Sequence, residues 1–182
     1  MLSAAQLSDP ILECAAVTAA GDTVLAQCES LVLAVSDHAY SAESQTHRGG
    51  TLGKHLRHTL DHFAAALAVL ADPAAAICYD RRARNVPMES SRAAAIAAVA
   101  HARDQLAAAA PEALHKPVRV RVMINAQGHE AELVSTLGRE LAFATHHAVH
   151  HQAMMKAIAA EFGVDLDDRF GKAPSTLKEQ QP

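Results

Sequence analysis

The sequence has no tryptophan, two tyrosines and four phenylalanines, so its core cannot be built around large rings and must come from aliphatic side chains, with alanine prominent among them. Cysteine is also scarce. Cys14, Cys28 and Cys78 are odd in number and contain no CxxC pair, which argues against a disulfide framework and a thiolate zinc site and fits a reducing compartment. No apolar run of about 18 residues goes uninterrupted by charge, so no membrane partner is expected. The N-terminal stretch has no basic region before its apolar part and carries Asp9 and Glu13, unlike a secretory signal, and a cytoplasmic location is expected. An excess of positive charge is missing too. The formal net charge is −4, and the densest basic cluster is Arg81, Arg82 and Arg84, too little to grip a phosphate backbone, so no nucleic-acid partner is expected.

What is present is helix-forming and histidine-rich. Hydrophobic residues make up 50% of the chain, and alanine is the best helix former, so the composition predicts a mainly helical protein. At 182 residues one domain is expected over 1–182, with an N-terminal extension or short helix over 1–21 and an irregular tail over 164–182. Pro10 suits a helix start and Gly21 a stop. Val24, Cys28, Leu31, Val32, Val35 and Ala39 then repeat at intervals of three and four along one helical face up to about residue 40. Thr51 can cap the next helix, whose stripe is Leu52, Leu56, Leu60, Phe63, Leu67 and Leu70, and Pro73 closes it. A loop from Cys78 leads to Ser90 or Ser91, the cap of an alanine-rich helix reaching about Ala110. Val118, Val120, Val122 and Ile124 alternate with Arg119, Arg121 and Met123 before turn residues, which predicts a β-hairpin. The last long helix should run from about Thr136 to Phe162. The expected fold class is therefore all-α, a four-helix bundle with a short β-hairpin excursion before the last long helix.

Seven of the twelve histidines fall in two windows: His55, His58 and His62 in one, and His146, His147, His150 and His151 in the other. Imidazoles four apart lie on one helical face and can share an ion. On the last helix, Leu137, Ala144, Ala148, Met155, Ile158 and Phe162 define the apolar face. His147 and His151 fall within it, and His146 and His150 fall to one side. On the earlier helix, His55, His58 and His62 form one stripe about a quarter turn from the leucines, and spacing alone does not choose among them. A set of neutral imidazoles suits Zn²⁺, Ni²⁺, Co²⁺ or Fe²⁺.

Taken together, "LGKHLRHTLDHF", "YDRRAR", "STLGRELAFATHHAVHHQAMM" and "FGKAPSTL" resemble the DinB/YfiT-like metal-binding four-helix bundles over most of the chain. The resemblance implies a divalent metal (Zn, Ni or Fe) on a histidine triad of His58, His147 and His151, with His62, Asp61 and His150 as residues behind the ligands. It implies a metal-dependent enzyme, a transferase or hydrolase, thiol-dependent and S-transferase-like, with a small-molecule thiol and a second copy in a homodimer as partners. The alternative it carries is a non-catalytic metal-binding stress-response protein. Apart from the resemblance, a helical interaction module whose histidines simply pack is the plainest reading.

Overall fold

The computed structural model describes residues 10–80 and 85–180, and Arg81, Arg82 and Arg84 lie outside them. Four long helices carry the core: α1 (Pro10–Ala34), α3 (Leu52–Leu67), α4 (Arg92–Ala107) and α6 (Leu137–Glu161). Helix α1 packs on α4 and α6, and α3 packs on the same two, so each long helix has two long neighbours. Shorter helices are α2 (Asp37–Ser41), α5 (Pro111–Leu114) and α7 (Pro174–Glu179).

The starts of α3, α4 and α6 follow local chemistry. Thr51 accepts the Lys54 N–H, Ser91 that of Ala94 and Thr136 that of Arg139, each satisfying an N–H that has no partner within its helix. Between the helices, Leu25, Leu31, Leu56, Phe63, Val99, Leu106, Leu141 and Met155 are almost fully buried. Burying one such side chain is worth about 1.5–3 kcal/mol relative to leaving it exposed.

The fold is not all-α. Strands β1 (Ala76–Cys78), β2 (Pro117–Met123) and β3 (Glu130–Thr136) form a mixed sheet in the order β1-β2-β3. The hairpin β2–β3 is antiparallel, with Val120 opposite Leu133, and β1 joins β2 in parallel, with Ile77 opposite Val120. At three residues β1 is too short to show an alternating pattern, which is why the sequence reads as a loop from Cys78 on. Its central Ile77 is 1% exposed and pins the sheet to the helices.

Two other expectations also change. Gly21 does not end a helix, since α1 continues through it. A Cβ there would come 2.9 Å from Leu106 Cδ2 and 3.3 Å from Phe63, so the glycine permits close approach of neighbouring helices. The stretch over 164–182 is not wholly irregular: it contains α7, and Phe170 is buried against the core.

Candidate metal centre

The site forms where α3 and α6 face each other. On α3 the spacing of His55, His58 and His62 sets three imidazoles in a row, and on α6 His147 and His151 lie one turn apart. His58 Nε2 and His147 Nε2 approach to 3.0 Å, and His151 Nε2 lies 3.1 Å from His147 Nε2. His55 Nδ1 lies 3.0 Å from His151 Nδ1. The five rings form one packed cluster, with His58–His151 centroids 4.5 Å apart and His62–His147 centroids 4.1 Å apart.

Burial disfavours the charged form of two of these rings. His151 is buried, and burial, followed by the neighbouring imidazoles, pulls it down to about 3. His55 is lowered as well, first by burial and then by His47 and His150. Neutral rings present lone pairs, the form in which imidazole binds a cation.

The structure separates the remaining sequence candidates. His62 is 5% exposed and inside the cluster, and the nitrogens of His58, His62 and His147 all lie within 4.8 Å of one another. Asp61 is paired with Arg57, which donates to its carboxylate at 2.5 Å. His150 is exposed and edge-on to His151 at 5.3 Å between ring centres, and His146 is exposed as well. His55, left open by spacing, meets His151 through its Nδ1, beside the contact His151 makes with His58.

A buried carboxylate beside the cluster escaped the sequence reading. Glu140, 2% exposed, accepts from Tyr79 Oη at 2.8 Å, Ser135 Oγ at 2.7 Å and Arg139 Nη1 at 2.8 Å. Tyr79, pushed up by burial and then by Glu140, stays a protonated donor, and its ring stacks on His62 at 4.9 Å with planes 10° apart. A signal was available: Glu140, Ala144, His147 and His151 are spaced four, three and four along α6 and so share a face. Between the hairpin and α6 an open groove of about 450 Å³ runs past Tyr79, Val120, Leu133, Val134 and Phe143.

Comparison with known proteins overturns the family resemblance. Over 101 residues, 55% of this chain, the sequence is 37% identical to FK506-binding protein 5 of Rhizopus delemar. No family model and no solved structure matches the chain. The chain spans about a quarter of that relative's length, 26% in the matched segment. The DinB/YfiT-like assignment is therefore corrected. The thiol-dependent enzyme and the stress-response alternative, which rested on it, fall with it. Among the described residues no helix is long and apolar enough to cross a membrane.

Proposed function

We propose that this chain binds a divalent transition-metal ion through imidazoles of α3 and α6, with His58, His147 and His151 as ligands. The observation that carries the reading is a run of close Nε2 approaches, His58 to His147 at 3.0 Å and His147 to His151 at 3.1 Å. Metal–nitrogen bonds of about 2.0–2.1 Å hold ligand nitrogens roughly 2.9 Å apart at a right angle and roughly 3.3 Å apart at a tetrahedral one, and the observed spacings lie between. An all-imidazole set suits Zn²⁺, Ni²⁺, Co²⁺ or Fe²⁺. His58 and His147 are 89 positions apart, so a shared ion fastens α3 to α6 and adds its binding free energy to the folded state. The reading stands on this geometry and needs no family. Its test is elemental analysis of protein purified without a metal-affinity column, followed by thermal melts with and without added zinc. A stoichiometric ion, or a zinc-dependent rise in Tm lost in His147→Ala, is the expected result; no ion and no shift in the native chain defeats it.

A second reading rests on the relative. By its name that protein binds FK506, and the groove beside the hairpin, with Val120, Val122, Leu133, Val134 and Phe143 as walls and Tyr79 and Ser135 as hydrogen-bonding groups, has the apolar lining such a ligand site needs. Calorimetric titration of FK506 into the chain decides it: saturable heat weakened by Phe143→Ala supports it, and absence of heat at millimolar ligand removes it.

A further inference from the structure

We propose that His62 is a fourth ligand of the metal centre, and that Tyr79, held by Glu140, is the residue that positions it. This inference rests on the cation site proposed above. It starts from a hydrogen bond that fixes a tautomer. His62 Nδ1 lies 2.9 Å from the carbonyl oxygen of His58, and a carbonyl only accepts, so the proton sits on Nδ1 and Nε2 keeps its lone pair. That is the arrangement by which metal-binding histidines are commonly oriented, one ring nitrogen donating to a backbone carbonyl while the other faces the ion.

The other nitrogen has a place to act. His62 is among the three residues whose nitrogens gather within 4.8 Å, and its ring centre is 4.1 Å from that of His147 and 4.6 Å from that of His58. The opposite side of the ring is closed by Tyr79, stacked nearly parallel. Tyr79 is in turn fixed through its hydroxyl to Glu140, which Ser135 at the end of β3 also holds. The ring is thus fixed from the backbone on one side and from the sheet on the other. With His62 the set would number four imidazoles, the ligand count of a closed site and not of one with open positions. It also ties occupancy of the centre to the docking of the hairpin, because Glu140 bonds at once to Tyr79 beside β1 and to Ser135 of β3.

The experiment is a Co²⁺ titration of the metal-free chain followed by visible absorption, since four-coordinate Co²⁺ absorbs strongly and higher coordination weakly. The native chain is expected to bind one equivalent with the intense four-coordinate spectrum. His62→Ala is expected to bind at least about tenfold more weakly with a weak spectrum, which added imidazole restores. His62→Gln, which can still donate to the His58 carbonyl, serves as a second variant should the alanine variant fold poorly, and it should also lose the intense spectrum. Tyr79→Phe should keep the spectrum but lose roughly tenfold in affinity, the scale of an outer-sphere contact. A native spectrum and affinity in both His62 variants, alongside lost binding in His147→Ala, overturns this ligand assignment and leaves the centre standing. Unchanged affinity in Tyr79→Phe overturns the positioning role. A native chain that takes up no cation overturns the centre and the fourth ligand together.

Discussion

Helix α3 carries two polar clusters that differ in kind. Toward the turn at Pro87–Glu89, Arg57 is 9% exposed at its side chain and bridges Asp61 and Glu89, each at 2.5 Å. Toward α6, His55, His58 and His62 meet His147 and His151. The first cluster holds charges of both signs, one guanidinium between two carboxylates, so its members attract one another within the chain. The second gathers bases of one kind, a donor set complementary to a cation. The contrast is between polar groups of opposite charge that hold one another and polar groups that all offer the same kind of donor atom.

The difference can be broken experimentally, beginning with the largest effect. Arg57→Ala removes the guanidinium that two carboxylates of a largely buried ion network share, which should cost about 3 kcal/mol in chemical denaturation, with or without zinc. His147→Ala should lower the metal-free stability by no more than about 1–2 kcal/mol but should erase the zinc-dependent gain, about 2.7 kcal/mol when free zinc is 100 times Kd. If the two variants behaved alike in both conditions, the distinction between the clusters would be lost. Glu140→Gln sits between these cases. It keeps the shape but weakens three hydrogen bonds to a charged acceptor, so a loss of about 1 kcal/mol is expected, together with weaker metal uptake.

The smallest effect is a control outside both clusters. Glu161 accepts from Thr46 Oγ1, and from Gln45 N and Ser44 Oγ at 2.8 Å each, and these bonds, Thr46 foremost, hold its carboxyl down to about 2 from an ordinary value of 4.5. Because the folded value is the lower one, the stabilisation is fully present above about pH 4.5 and disappears as pH falls toward 2. Glu161→Gln should flatten the pH dependence of the melting temperature in that window and leave zinc uptake at neutral pH untouched. A dependence as steep as the native one would show that Glu161 is not its source.

Much of the helical layer was legible in the sequence because its signals are local. Thr51 and Thr136 announce helix starts by a contact three residues away, and the spacing of His147 and His151 places both rings on the face that meets α3. What was not legible depends on neighbours distant in sequence. Gly21 reads as a stop until Leu106 and Phe63 are seen pressed against it. Strand β1 exists because β2, some forty residues on, supplies its hydrogen bonds. His62 reads as a residue behind the ligands until the His58 carbonyl fixes its proton and Tyr79 covers its far side. The family resemblance drawn from short motifs failed for a related reason: histidines four apart on an alanine-rich helix are a pattern that helical geometry alone makes meaningful, and they carry little information about descent.

Helix α6 places Glu140, the His147–His151 pair and Glu161 along 25 unbroken residues. At about 1.5 Å and 100° per residue, these groups keep fixed axial and rotational offsets, Glu140 standing roughly 10 Å from His147. Inserting one residue between Ala142 and His146 would leave every existing side chain in the chain intact and yet turn the histidines about a quarter turn away from the carboxylate that shares their face. The composition of the centre would be unchanged, and its phase along the helix would be lost.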